Sequence, residues 1–185
     1  MAPVGVVLAG GAGRRMGGAK ATALLAGRPL VAWAVEALRA GGLDEVAVAA
    51  KASTVLPALD VPVWLEPEEP RHPLAGVRAA LERAGGRAVV VVPVDLQLVP
   101  AEVLRALARA EGCAVVRAAG RLEPLVARFE PGVEVPVSGR AVDAVLALDP
   151  LVLDVPADGF LNVNAPADLA AAEGLALRSG RGLGL

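Results

Sequence analysis

The sequence is poor in the residues that mark several large classes of protein. Its 185 residues include one cysteine (Cys113), two tryptophans, two phenylalanines and no tyrosine. A single cysteine cannot form an internal disulfide, which excludes the disulfide-rich secreted scaffolds. Because only 2% of the residues are aromatic, the chain also lacks the stacking platforms that bind single-stranded nucleic acid.

The charge balance and the hydrophobic pattern exclude two further classes. A formal net charge of −2 argues against a general nucleic-acid binder, which carries a basic footprint. The apolar runs stay well short of the roughly 18–20 residues that span a bilayer. The first residues, MAPVGVVLAGG, lack the basic start of a signal peptide. We therefore expect a cytoplasmic protein with no nucleic-acid and no membrane partner.

Strand-like apolar runs alternate with helical patterns along almost the whole chain. Strands are predicted at 4–9, 45–50, 61–65, 88–93, 113–117, 124–129 and 151–154, and helices at 29–40, 73–84, 100–110, 139–147 and 166–175. This alternation predicts an α/β fold, a three-layer, Rossmann-like sandwich with a mostly parallel sheet.

Two segments depart from that alternation. RLEPLVARFEP (121–131) shows no helical period and predicts an antiparallel strand or hairpin arm near the edge of the sheet. The Gly-rich tail, 177–185, is predicted to be disordered, which leaves 1–176 as a single domain.

The stretch VLAGGAGRRMGGAKA (7–21) carries more functional information than any other part of the chain. Its glycines allow the backbone to approach a ligand closely, and successive backbone amides beside positive charges form a site for polyphosphate. The candidate residues of this loop are Gly10, Gly11, Gly13, Arg14, Arg15 and Lys20. Lys20 is notable because the chain has only one other lysine, Lys51. The alternative is a flexible surface loop.

Two well-known phosphate loops do not fit this stretch. A P-loop needs Ser or Thr directly after its lysine, and here Ala21 follows Lys20. The dinucleotide fingerprint G-x-G-x-x-G fails at its third glycine, where this chain has Met16. The stretch is therefore predicted to be a nucleotide-binding loop of a third kind.

Further candidate residues follow other predicted strands. Ligands of open α/β sheets bind beyond the carboxyl ends of the strands, and Asp95 follows the buried run at 89–92. A carboxylate there can hold a magnesium ion that bridges phosphates, although an Asp in such a turn can equally cap the next helix. Glu66 follows the third strand, and His72 leads into the next helix.

The only two asparagines of the chain, Asn162 and Asn164, lie two residues apart before the last predicted helix. In an extended segment that spacing places both side chains on one side. Either amide can contact a phosphate, a sugar hydroxyl or a metal-bound water, and Asn164 can also cap the helix. The cysteine and histidine positions do not have zinc spacing, and the three serines do not suggest a catalytic triad.

Five segments, in order along residues 4–170, resemble the molybdenum cofactor guanylyltransferases (MobA type), NTP transferases of GT-A fold. They are the loop from Leu8 to Lys20, HPLAGVRAAL (72–81), VVVPVDLQLVP (90–100), RLEPLVARF (121–129) and NVNAPADL (162–169). The resemblance implies a GT-A nucleotidyltransferase fold. It also implies transfer of GMP from GTP to the phosphate of molybdopterin or its molybdenum form, with release of pyrophosphate.

The resemblance also implies roles for single residues. Mg²⁺ would lie on Asp95, and Lys20 with Arg14 or Arg15 would stabilise the charge that develops on pyrophosphate. The nucleotide would contact Leu8, Ala9, Gly10, Gly11, Gly13 and Glu66, which falls near the family's usual Asp. Asn162 and Asn164 would contact the acceptor or a metal-bound water. A transient contact with molybdenum cofactor carrier proteins is also expected.

Several positions depart from the family pattern. His72 stands where glycine is usual, Gln97 replaces a proline, and Ala50 with Lys51 end the second strand where an Asn often recognises the base. Ala12 and Ala165 fill slots that usually hold Ser and Thr. These departures leave open a CTP-specific or sugar-phosphate nucleotidyltransferase and a non-catalytic nucleotide-binding relative. A Rossmann oxidoreductase conflicts with Met16.

Overall fold

The computed structural model describes residues 1–11, 20–96, 98–157 and 159–161, with residues 163, 168, 172 and 174. Its strands are β1 (Val4–Leu8), β2 (Leu24–Leu25), β3 (Arg28–Pro29), β4 (Val46–Ala50), β5 (Val63–Leu65), β6 (Val89–Pro93), β7 (Ala114–Ala118), β8 (Arg121–Phe129) and β9 (Leu151–Val155). Its helices are α1 (Leu30–Ala40), α2 (Ala75–Arg83), α3 (Ala101–Arg109) and α4 (Ala141–Leu146), and a 3₁₀ turn covers Lys20–Thr22.

Seven of the strands form one sheet in the order β5-β4-β1-β6-β8-β7-β9. β1 lies at the centre of a parallel block, with Leu8 opposite Ala49 of β4 on one side and opposite Pro93 of β6 on the other. β5 extends this block beyond β4, and β9 pairs in parallel with β7. Only β8 runs against its neighbours in this sheet. The mostly parallel sheet that the sequence predicts is confirmed.

The sheet is the middle layer of three, because successive residues of its strands face opposite sides. Val7 of β1 packs in one apolar cluster with α1 and α3, whereas Val6 and Leu8 pack in a second cluster with α2 and residues of α4. This period of two, with both faces apolar, is typical of parallel strands covered by helices. No helix in the described part of the chain is both long and apolar enough to cross a membrane.

Most predicted elements are confirmed within a few residues, but the predicted place of β8 is wrong. β8 is antiparallel, as predicted, yet it lies inside the sheet between β6 and β7 and not near an edge. Only its last three residues pair with β6, through Phe129, Arg128 and Ala127. Its polar first half pairs with β7 alone, beyond a register shift between Val115 and Val116. The mixed polarity of β8 therefore arises because its first half extends beyond the residues that pair with β6.

The hairpin of β2 and β3 is absent from the predicted elements. Each strand has two residues, which is too short for a period-two pattern to be detected. Its turn residues Ala26 and Gly27 both have positive φ, at 48° and 74°, as in the tight turns of two-residue hairpins. The predicted helix at 166–175 lies mostly outside the described residues, and the tail at 177–185 lies wholly outside them.

Gly41, at the end of α1, is a sensitive point in the packing of α1 on α3. A Cβ atom there would lie 2.7 Å from Cβ of Leu104, which is fully buried on α3. Gly41→Ala gains about 0.4–1 kcal/mol by restricting the unfolded chain but overpacks the core at a cost of about 1–3 kcal/mol. We expect a lower free energy of unfolding in urea. The exposed Ala40→Ser should change it by less than about 0.5 kcal/mol, and a more stable Gly41→Ala would contradict this packing argument.

Candidate functional site

A cavity of about 670 Å³ opens at the carboxyl edge of the parallel strands. It takes residues from just beyond the ends of β1, β4, β5 and β6, which is where ligands of open α/β sheets bind. Its lining includes Leu8, Gly10, Gly11, Lys20, Lys51, Glu66, His72 and Asp95. A cavity of this size matches a small-molecule ligand such as a nucleotide.

The Lys20 ammonium and the Asp95 carboxylate meet in this cavity. Nζ of Lys20 donates to Oδ2 of Asp95 at 2.8 Å, and the two side chains are 14% and 23% exposed. The partners are 75 residues apart in the chain and meet because β1 and β6 are adjacent parallel strands. The sequence predicted both residues individually, and the fold brings them together.

The backbone of Asp95 also holds the segment that carries the two asparagines. The N–H of Val163, which is fully buried, donates to the carbonyl oxygen of Asp95 at 3.0 Å. This bond brings Val163 to the edge of the sheet at which the cavity opens. Asn162 and Asn164, on either side of it, lie outside the described residues.

A second carboxylate, Glu123 of β8, lies within electrostatic range of Asp95. Burial raises the pKa of Glu123 above its ordinary value; the Arg121 guanidinium, 3.6 Å away, opposes that shift and Asp95 adds to it. The sequence did not single out Glu123, because its proximity to Asp95 depends on β8 lying beside β6. Within the described residues no three His, Cys, Asp or Glu side chains form a metal-binding group.

This donor set fits magnesium better than a metal that needs a complete protein cage. Mg²⁺ is commonly held by one or two carboxylates, with phosphate oxygens and waters as its other ligands. Asp95 supplies one such carboxylate inside a cavity large enough for a polyphosphate.

Glu66 lies almost completely buried at the opposite end of the site. Its N–H donates to the carbonyl oxygen of Ala50 at 2.9 Å, so the residue continues the pairing of β5 with β4. The side chain is 7% exposed, and its Oε1 lies 3.6 Å from Nζ of Lys51. Burial raises the pKa of Glu66, and the Lys51 ammonium opposes that shift.

Two glycines make room for the Glu66 carboxylate. A Cβ atom at Gly10 would lie 1.7 Å from Oε1, and a Cβ atom at Gly76 would lie 2.4 Å from Oε2. The carboxylate therefore sits against bare backbone on two sides, and any side chain at either position would displace it. Gly10 thus has a steric role that the phosphate-loop argument did not foresee.

The loops after β4 and β5 are tied together by residues that the sequence analysis did not place in the site. Nζ of Lys51 donates to the carbonyl oxygens of Pro67 at 2.6 Å and Glu68 at 2.9 Å. The N–H and hydroxyl of Ser53 donate to the Glu68 carboxylate at 3.1 and 2.9 Å. Ser53 and Glu68 also line the cavity. Two sequence features draw attention to Lys51: the scarcity of lysine in the chain, and its position where the family often has an Asn.

His72, which replaces the family's usual glycine, anchors the start of α2. Its Nδ1 accepts the N–H of Leu74 at 3.2 Å, and its Nε2 lies 3.1 Å from the carbonyl oxygen of Gly139. With Nδ1 as acceptor, Nε2 carries the proton and donates to that carbonyl. The imidazole therefore links one wall of the cavity to the segment before α4.

The predicted site residues fall into three groups. Leu8, Gly10, Gly11, Lys20, Glu66 and Asp95 line the cavity. Ala9 is buried instead. Its N–H donates to the carbonyl oxygen of Ala49 at 2.8 Å, so it continues the pairing of β1 with β4. Gly13, Arg14, Arg15, Asn162 and Asn164 lie outside the described residues, and so do the departures at Ala12, Gln97 and Ala165.

Comparisons with known proteins give a consistent result. The sequence profile of the MobA-like NTP transferase domain matches residues 5–147. A molybdenum cofactor guanylyltransferase of Cereibacter sphaeroides is 40% identical over 190 residues, covering 92% of this chain and 95% of that protein. Its counterpart in Rhodopseudomonas palustris is 35% identical over 201 residues, covering 96% of this chain and 94% of that protein.

Among solved structures, the fold matches molybdopterin-guanine dinucleotide biosynthesis protein A from Archaeoglobus fulgidus with a TM-score of 0.67. The two chains are 22% identical, and the match covers 95% of this chain and 99% of the other. At that identity the match supports the predicted nucleotidyltransferase fold and leaves the chemistry to the residues of the site.

Gly10 and Gly11 offer a matched pair of substitutions that tests the steric role of Gly10. Gly10→Ala should push the Glu66 carboxylate toward solvent, whereas a Cβ at Gly11 meets no described atom within 4 Å. Because burial is the largest cause of the raised pKa of Glu66, that pKa should fall toward its ordinary value in Gly10→Ala alone. Carbon-13 NMR titration of the glutamate carboxyls measures it, and equal pKa values in the two variants would contradict the steric argument.

Proposed function

The chain belongs to the MobA-like NTP transferase domain family, and we propose that it transfers GMP from GTP to the phosphate of molybdopterin or its molybdenum form. An oxygen of the acceptor phosphate attacks the α-phosphorus of GTP, the bond between that phosphorus and the bridging oxygen breaks, and pyrophosphate leaves. Such a transfer depends on positioning and on stabilising charge, and it needs no nucleophile from the protein.

The observation that carries this proposal is the Lys20–Asp95 pair at the carboxyl edge of the parallel strands. The pair places a cation and a carboxylate 2.8 Å apart in a cavity that is also lined by Gly10 and Gly11, at the start of the glycine loop. When a triphosphate binds, the Lys20 ammonium would neutralise the charge that develops on the departing pyrophosphate. Asp95 would hold Mg²⁺, which when bound neutralises the triphosphate and orients it.

The opposite end of the cavity suits guanine. A charged Glu66 carboxylate offers two hydrogen-bond acceptors, and guanine presents two donors on one edge, N1–H and the 2-amino group. Cytosine presents acceptors at N3 and O2, so in the same position it would set acceptor against acceptor. Buried polar groups left unpaired in this way discriminate strongly against a ligand.

The remaining predicted contacts complete this proposal. Arg14 or Arg15 would join Lys20 on the phosphates with backbone amides near Gly13, and Asn162 and Asn164 would contact the acceptor or a metal-bound water. Transient contact with molybdenum cofactor carrier proteins and a cytoplasmic location stay predictions. A CTP-specific or sugar-phosphate enzyme of the same fold remains the second candidate, because Lys51 stands where the family often has an Asn.

Calorimetry with GTP, CTP, ATP and UTP, with and without magnesium, tests the proposed nucleotide. We expect GTP to bind at least about tenfold more tightly than CTP, and more tightly with magnesium than without it. A preference for CTP would move the protein to cytidylyl transfer. If no nucleotide binds, the result contradicts the proposed nucleotidyl transfer.

Asp95→Ala tests the role of the carboxylate in turnover. We expect pyrophosphate release to fall by about 100-fold or more, because the metal ion would then lack the protein carboxylate that holds it, while circular dichroism shows the fold retained. Asp60→Ala is the matched control. Asp60 pairs with Arg39 at 2.9 Å on an exposed surface, and activity should be unchanged. Wild-type turnover in Asp95→Ala would disprove the metal assignment.

A further inference from the structure

Lys51 is one of only two lysines in the chain, and its ammonium is turned to its own protein. The side chain is 13% exposed, although the residue lies in a loop at the rim of a cavity. Two of its three N–H donors are engaged by the carbonyl oxygens of Pro67 and Glu68, at 2.6 and 2.9 Å. A lysine held in this way is poorly placed to reach a ligand directly.

The same ammonium provides the positive charge beside Glu66. It lies 3.6 Å from Oε1 of a carboxylate that is 7% exposed and lies against Gly10 and Gly76. Of the other ionisable groups, Glu68 acts on Glu66 from the same segment, and Lys20, Asp95, Arg71 and His72 line the same cavity. The Ser53 hydroxyl donates to the Glu68 carboxylate at 2.9 Å. Lys51 is the cation that compensates the charge of Glu66.

We propose that Lys51 is a positioning residue that sets nucleotide specificity: it keeps Glu66 charged and in place as a double acceptor for guanine. Lys51 acts through Glu66 and does not itself contact the base. The inference rests on the proposed function and deepens it, because it makes the Lys51–Glu66 pair the element that selects guanine. Lys51 stands where the family often has an Asn, and in this role it contributes to the recognition of guanine.

The charge state of Glu66 explains why Lys51 is needed. Burial favours the neutral carboxyl, and Lys51 is the main opposing influence. A protonated Glu66 offers one donor in place of one acceptor, and so it no longer matches the two donors of guanine. Without Lys51 the pKa of Glu66 should rise further, and guanine recognition should be lost as the pH falls through that pKa.

Two substitutions separate the charge of Lys51 from its hold on the loop. Lys51→Met removes both the charge and the hydrogen bonds to the carbonyl oxygens of residues 67 and 68. Lys51→Gln removes the charge but keeps an amide donor for those oxygens, so the loops after β4 and β5 can stay joined. Lys51→Arg keeps the charge. Glu68→Gln is a further control, because it weakens the contact with Ser53 and leaves the ammonium in place.

The experiment measures the binding of GTP, ITP and CTP by calorimetry between pH 5.5 and 8.5, with thermal unfolding to check each fold. ITP lacks the 2-amino group, so the GTP to ITP affinity ratio reports on the double acceptor. At pH 6 we expect Lys51→Gln and Lys51→Met to bind GTP about tenfold or more weakly than the wild type, because a hydrogen bond to a charged acceptor contributes about that much. The affinity should recover as the pH rises, and Lys51→Arg should keep the wild-type ratio.

Because His72 lines the same cavity, the titration is repeated in a His72→Gln background, where the pH dependence should persist. Adding Lys51→Gln to Glu66→Gln should leave the GTP to ITP ratio unchanged, since the pair acts as a unit. Equal weakening of all three nucleotides without pH dependence would overturn the proposal and make Lys51 a loop brace only. If the wild type does not prefer GTP, the proposed function is wrong. If the wild type prefers GTP and Lys51→Gln keeps the same preference, only the proposed role of Lys51 is wrong.

Discussion

The alignment of β5, β4, β1 and β6 in one direction is the constraint on which the rest of the site depends. Parallel strands end at the same edge of a sheet, and the pairing of Leu8 with Ala49 and Pro93 sets how far each strand reaches. Three charged groups of the site lie within two residues of a strand end. Lys51 and Glu66 follow β4 and β5, and Asp95 follows β6. The two faces pack against different helices, so a shift by one residue would exchange the side chains that fit each apolar cluster.

In the described part of the site, each of the chain's two lysines pairs with a carboxylate. Lys20 and Asp95 form the pair where, in the proposed function, phosphates and magnesium would lie, and this pair would open when the polyphosphate binds. Lys51 and Glu66 form the more deeply buried pair, and it serves only while it stays closed. This difference agrees with their exposure: the Glu66 side chain is 7% exposed and that of Asp95 is 23% exposed.

The departures from the family pattern that lie in the described residues have structural explanations of their own. His72 accepts from the start of α2 and donates to Gly139, so it reinforces the cavity wall that glycine would leave unsupported. Lys51 joins two loops and compensates a buried carboxylate. Neither residue obstructs the cavity, which still measures about 670 Å³. The departures are therefore compatible with nucleotidyl transfer and do not require a loss of activity.

The sequence by itself determined the class of fold and most element positions, and it selected the glycine loop, Lys20, Glu66 and Asp95 as candidates. These follow from local information: apolar periodicity defines strands and helices, and glycines beside a lysine after a strand indicate a phosphate site. Only the tertiary structure decided where β8 lies, that Glu123 is within electrostatic range of Asp95, and that Gly10 and Gly76 leave room for Glu66. Those relations join residues that are distant in the chain, and a sequence pattern does not record which strands become neighbours. The role of Lys51 depends on such a relation, because its partners lie across a loop that only the folded sheet brings beside it.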